Sequence, residues 1–364
     1  MDFALFRVRF RFSPPTHVPP TIKSVRLRLE VVDECGQGIS CQKVGVHADG
    51  WTLGAHVCTK GGECLKDNVT AFKMPPDQSH MTVDVPIPDI ETSFRFHATA
   101  LFPRESSIAA NSLSTFVLSS QGTSNILILP VWSDLVSRIS PSAPSSDVSL
   151  YVRHFKSTLG APIVIEERYG DAMASHVWDA AVCLCDFLQS QRLLRESPAT
   201  VVEVAAGCGL PGIATALRLP STSTVVLTEK PSNLDHLQRN VDFNSSKFPP
   251  STSILVRALM WGNLEHVASL PSPIDVIILS DVLYNWTAHP DLLTTLDAMA
   301  SASTRVFLAH KHRSRETTAA LQAIAQNHPC PTCPPFAACL WVSTWQLKLL
   351  ATYGLTHIFE LIQR

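Results

Sequence analysis

The chain has 364 residues, 45% of them hydrophobic and 16% charged, a composition that excludes a disordered tail and fits a globular enzyme or binding protein of about two domains. With 29 basic and 31 acidic residues the net charge is −2, so there is no bulk electrostatic drive toward nucleic acid or an anionic membrane. No apolar stretch approaches the roughly 18–20 residues that span a bilayer, and the N-terminal run is broken at Arg7, too early for a secretory segment.

Up to about residue 132 the dominant pattern is short polar–apolar alternation, at Phe6 to Phe12, Val25 to Val31, Met81 to Val85, Phe94 to Ala98 and Asn125 to Leu129. Pro-Pro pairs at 14–15, 19–20 and 75–76 punctuate these runs, so a mainly-β accessory region, a small sandwich or a partly open barrel, is expected over 1–136. Ser-Pro-Ser-Ala-Pro-Ser-Ser within 137–149 reads as a linker or crossing loop. From 150 to 364 strands alternate with helices: Thr200 to Ala206, Ser223 to Thr228, Ile254 to Ala258, Ile274 to Ser280 and Thr304 to His310, with Thr356 to Ile362 a further candidate. That alternation predicts an α/β, Rossmann-like doubly wound sheet, whose ligand sits beyond the carboxyl ends of its strands.

The residues at those strand ends are chemically distinctive. Glu203-Val-Ala-Ala-Gly207-Cys-Gly209-Leu-Pro-Gly212 contains G-x-G-x-x-G, a turn that brings bare backbone to a ligand before a helix near Pro211. Glu229 closes the second strand twenty residues after Gly209, the offset at which an acid accepts hydrogen bonds from ribose hydroxyls. Trp261 follows the third strand, where a flat ring can stack on a base, and Asp281 and Tyr284 follow the fourth. A carboxylate directly after Val276-Ile-Ile-Leu279 is costly to bury without a partner.

With Val177-Trp178-Asp179-Ala180-Ala181, Glu203 to Gly212, Met260-Trp261-Gly262 and Asp281-Val282-Leu283-Tyr284 in this order, the sequence resembles the seven-β-strand S-adenosylmethionine-dependent methyltransferases. The closer likeness is to lysine methyltransferase family 16 of the methyltransferase-like proteins. The resemblance implies S-adenosylmethionine as cofactor and a lysine of a protein substrate as acceptor. It implies that Glu203, Gly207 and Gly209 surround the methionine part of the cofactor, that Glu229 holds the ribose, that Trp261 packs on the adenine and that Trp178 covers the pocket. Asp281 and Tyr284 would line the cofactor–substrate junction as the catalytic pair, Asp281 also touching the cofactor. Two departures stand out: Ala205 replaces the first loop glycine, and Glu229 stands where Asp is usual.

Methyl transfer needs a neutral amine, while a lysine with pKa near 10.4 is protonated at neutral pH, so the site must favour the neutral form by desolvation or neighbouring positive charge. Alternatives are a methyltransferase acting on a small molecule or another nitrogen, a non-catalytic binding protein of the same fold, and a nicotinamide enzyme. The last is disfavoured because Pro211 lacks an N–H where a helix start would donate to phosphate. Ten cysteines, several within apolar runs such as Val182-Cys-Leu-Cys185, suggest reduced thiols and a cytoplasmic or nuclear protein. Cys35, Cys41, Cys58 and Cys64 are spaced by five residues within each pair, wider than usual for zinc, and Cys330-x2-Cys333 lacks the setting of a redox motif, so no metal site is expected.

Overall fold

The computed structural model describes residues 4–44, 50–59, 69–88, 93–101, 121–123, 126–138, 149–155, 162–169, 172–190, 199–219, 222–250, 252–313, 321, 341 and 344–364. Phe3–Lys156 and Val164–Ala172 form one unit, and Ser157–Ile163 and Met173–Arg364 form the bulk of a second.

The first unit is built from β1 (Ala4–Phe10), β2 (Ser24–Val32), β3 (Thr52–Thr59), β4 (Thr70–Lys73), β5 (His80–Pro86), β6 (Ser93–Leu101), β7 (Gln121–Thr123), β8 (Ile126–Leu129), β9 (Val131–Trp132), β10 (Val136–Ser137), β11 (Ser149–Phe155) and β12 (Ile163–Tyr169). One sheet runs β5-β2-β1-β8-β7, with β1 and β8 parallel; the other runs β12-β11-β9-β6-β3-β4, with β10 against β6. Successive side chains of a strand face opposite ways, so every second residue enters the space between the sheets. Phe6, Val8 and Phe10 of β1, Leu27, Leu29 and Val31 of β2, Leu53, Ala55 and Val57 of β3 and Phe94, Phe96 and Ala98 of β6 share that one core. This is the sandwich alternative of the N-terminal reading.

The division between the units falls later than the expected linker at 137–149. Residues 139–148 lie outside the described set, and beyond them β11 and β12 extend the sandwich sheet rather than opening the α/β half. Tyr151 donates to Phe10 O at 2.5 Å, and the wholly buried Arg153 guanidinium binds Glu167 and donates to Pro130 O at 2.8 Å. Hydrogen bonds to partners up to 141 residues away, not local polarity, decide where this segment belongs.

The second unit holds β13 (Thr200–Val204), β14 (Thr224–Glu229), β15 (Ser253–Ala258), β16 (Val276–Ser280), β17 (Arg305–Lys311), β18 (Trp345–Tyr353) and β19 (Thr356–Gln363) in the order β15-β14-β13-β16-β17-β19-β18. The first five are parallel, and β19 runs antiparallel between β17 and β18. Val201, Val225, Ile278 and Phe307 pack with Leu184 and Phe187 of the Asp179–Ser190 helix, while Val202, Val226, Ile277 and Val306 pack with Leu292 and Leu296 of the His289–Met299 helix. Burial on both faces explains why these strands read as unbroken Val/Ile/Leu runs, and strand order reverses between β13 and β16, where such a sheet opens its ligand crevice.

Candidate active site

The loop after β13 is shaped by three backbone conformations that only small residues adopt cheaply. Ala205 has φ +54°, Gly207 +55° and Gly209 +79°. At Ala205 a methyl group sits where glycine would be unstrained. A Cβ on Gly212 would lie 2.0 Å from Leu227 Cδ2 and 2.5 Å from Glu203 Oε2, so the Leu210–Ala216 helix packs onto β13 and β14 through bare backbone. Asn240, fully buried, donates to Cys208 O at 3.1 Å and pins the loop from the Leu234–Asp242 helix.

The two acids serve this loop. Glu229 Oε2 accepts the Gly207 N–H at 2.9 Å and its Oε1 the Lys230 N–H at 2.9 Å. Glu203 lies beneath the loop, 1% exposed, with Oε2 accepting the Gly212 N–H at 2.8 Å. Burial lifts the Glu203 carboxyl to about 8; the Gly212 N–H opposes that rise and the Glu229 charge adds to it. The folded chain therefore holds a proton that an unfolded glutamate, with pKa near 4.3, releases. The resulting stability is full below that unfolded value and is lost as pH rises through 8. Thermal melts from about pH 6 to about pH 9 should show a falling Tm that Glu203→Gln flattens; equal slopes in both proteins would remove Glu203 from the explanation.

At the third strand end, Leu259 N–H donates to Glu229 O at 2.9 Å, which brings the Met260-Trp261-Gly262 turn beside the acid. Trp261 is half-buried against the core below, and Gly262, with φ +80°, donates to Thr295 Oγ1 at 2.8 Å.

Asp281 ends β16 in the left-handed region, φ +55° and ψ +30°, buried to 6% exposure. Its Oδ1 accepts the Lys311 N–H at 3.0 Å, and Arg313 straddles both oxygens at 3.0 and 2.7 Å, the forked geometry of a strong pair. The same guanidinium lies 5.2 Å from the Trp178 ring centre, and the Trp178 Nε1–H is held by Met173 O at 3.0 Å. Lys311 Nζ reaches Asp179 at 2.6 Å. Burial pushes His312 down to about 4, His357 and His310 reinforcing that fall, so it is neutral at physiological pH. Tyr284 is 55% exposed in the turn after Asp281, unlike the acid it was paired with.

The structure thus brings Glu203, Gly207, Gly209 and Glu229 into one hydrogen-bonded loop and joins Trp178 to Asp281 through Arg313. Arg313 and Asn240 are the side chains whose part sequence reasoning missed. Arg313 lies 32 residues from Asp281, a separation that carries no periodic signal. Among the described cysteines Cys35, Cys41 and Cys58 are thiols; Cys64, Cys330 and Cys333 lie outside the described residues.

A doubly wound seven-stranded sheet with a glycine loop and an acid at successive strand ends defines the Rossmann-like methyltransferase class. The family model described as lysine methyltransferase matches residues 159–327. EEF1A lysine methyltransferase 3 of Xenopus tropicalis is 33% identical over 162 residues, covering 44% of this chain and 68% of that protein. The Mus musculus protein of that name is 34% identical over 157 residues, 43% of this chain and 64% of its own length. Protein N-lysine methyltransferase METTL21A of Mus musculus is 37% identical over 145 residues, covering 39% and 62%. The chain belongs to this lysine methyltransferase family, and its match spans somewhat under two thirds of the length of the mouse relatives.

Proposed function

We propose that the chain transfers a methyl group from S-adenosylmethionine to lysine side chains of a protein. The observation that carries this reading is where the loop's donors go. The N–H of Ala206 is given to Thr228 O, that of Gly207 to Glu229, that of Gly209 to Ala206 O and that of Gly212 to Glu203, while Pro211 has none. A pyrophosphate needs such donors and is repelled by a carboxylate among them. A cofactor with a ribose diol and no phosphate suits an acceptor-rich loop, so the residues fit S-adenosylmethionine and not a dinucleotide.

Bound there, S-adenosylmethionine supplies an electrophilic methyl group on a sulfonium. Glu229 would accept from the ribose hydroxyls, Gly207 and Gly209 would present backbone without side chains, and Trp261 and Trp178 would wall the site. Asp281 already has both oxygens engaged, by Arg313 and the Lys311 N–H. It acts by charge and orientation, and the amine's proton leaves to water, most of the acceleration coming from alignment. The exposed Tyr284 ring is free to meet the cationic side chain of an incoming protein.

Calorimetric titration should show binding of S-adenosylmethionine and S-adenosylhomocysteine and none of NAD. Glu229→Ala should weaken both by roughly 10- to 150-fold, the loss of a charge-assisted bond of about 1.5–3 kcal/mol. Binding of NAD alone would overturn the reading. Labelled S-adenosylmethionine with a lysate from cells lacking the protein, followed by mass spectrometry, identifies the acceptor.

A further inference from the structure

The outer face of the larger sandwich sheet carries a cluster that methyl transfer does not use. On β3 Ala55 and Val57 enter the core, so the alternate side chains of His56 and Cys58 stand on the opposite face. On β6 Phe96 and Ala98 enter the core, and His97 lies directly across from His56 in the antiparallel register. The three are 3%, 0% and 4% exposed. His56 Nε2 and His97 Nδ1 are 3.1 Å apart, and a ligand atom from each residue, the Cys58 sulfur included, lies within 4.8 Å of the other two. Trp132 stacks on His97 with centroids 4.2 Å apart, and His154 stacks on Trp132 at 4.2 Å, so the plane of the His97 ring is held from outside.

We propose that His56, Cys58 and His97 bind a zinc ion. Zinc takes imidazole nitrogens at about 2.0–2.1 Å and thiolate at about 2.3 Å in tetrahedral geometry, which sets neighbouring nitrogens about 3.3 Å apart. The two rings already stand near that separation, and a modest rotation brings the Cys58 sulfur into place. The ring-to-ring hydrogen bond does not close the cluster by itself, because His56 Nδ1 is buried with no hydrogen-bond partner among the described residues. On binding, the proton between the rings moves to the far nitrogen of the ring that carried it, the Cys58 thiol releases its proton to water, and three metal–ligand bonds form. One proton is released per ion, so affinity rises with pH below the thiol pKa. Three side chains leave one tetrahedral position for water.

Full-length protein expressed in zinc-supplemented medium should carry about one zinc per chain by atomic emission. Refolded with Co²⁺ alone, it should show the near-ultraviolet charge-transfer band of a cobalt–thiolate bond. Cys58→Ser should abolish that band, His97→Gln should weaken zinc binding more than about 100-fold, and Cys35→Ser, at an exposed position, should change neither. The wild-type cobalt spectrum requires no variant to fold, and circular dichroism checks the variants. Less than about a tenth of an equivalent of zinc in natively folded wild-type protein, a cobalt spectrum without the thiolate band, or a band that survives Cys58→Ser would each overturn the proposal.

Discussion

Replacing Asp281 with Asn is expected to lower methyl transfer by at least about 100-fold while leaving the fold in place. Asn tolerates the left-handed conformation at φ +55° and keeps an oxygen for the Lys311 N–H, so what it removes is charge. Arg313 then loses the anion it straddles, and with it the fixed orientation over Trp178. Asp281→Ala should lose the same activity and also stability, since a left-handed alanine costs roughly 1–2 kcal/mol and the Arg313 guanidinium loses both of its bonds to Asp281. Incorporation of labelled methyl groups, read beside thermal melts, separates the two effects. Near-normal turnover of Asp281→Asn would show that the Asp281 charge does not serve the reaction.

The second large effect is expected from where the chain is cut. A fragment beginning near Ser145, inside the segment that reads as a linker, retains β11 and β12 but loses β9, the strand on the other side of β11, and the rest of the sandwich. Tyr151, Phe155, Ile163 and Ile165, all at most 2% exposed in the whole chain, would meet water, and the Arg153–Glu167 pair would lose the Pro130 carbonyl that completes it. Unpaired apolar strands promote edge-to-edge association, so this fragment should aggregate or bind a hydrophobic dye strongly. A fragment from Met173 keeps all seven strands of the α/β sheet and the Trp178 segment, and should remain more soluble by gel filtration. Equal solubility of both would mean that β11 and β12 do not depend on the sandwich.

How much was legible follows from the physics of each segment. The parallel strands were visible because burial on both faces demands Val/Ile/Leu runs; the tight turn from Glu203 to Gly209 was visible because its glycines lie close together in sequence, and Glu229 because it ends the next strand, just after its apolar run. β3 was missed because it, too, is buried along nearly its whole length, yet its residues include Gly54, His56 and Cys58, so neither alternation nor an aliphatic run marks it. β18 was missed because an edge strand, Trp345-Gln-Leu-Lys-Leu-Leu, is half solvated and reads as readily as a helix. The bond from Arg313 to Asp281 could not be read at all, because a contact between two strand ends depends on the register of β16 with β17.

The parallel pairing of Ala4–Arg7 with Ile126–Leu129 bears on how the protein is made. On the ribosome β1 emerges before both strands it pairs with, and one of them, β8, is synthesised some 120 residues later, a delay of about 6–25 s at 5–20 residues per second. During that interval the hairpin of β1 with β2 presents an open edge bearing Leu5 and Phe6. The nascent chain is therefore most vulnerable to misassociation before residue 129 has left the exit tunnel. Slowed translation upstream of that point should lower the soluble yield, and co-expressed chaperones that cover extended apolar segments should restore it.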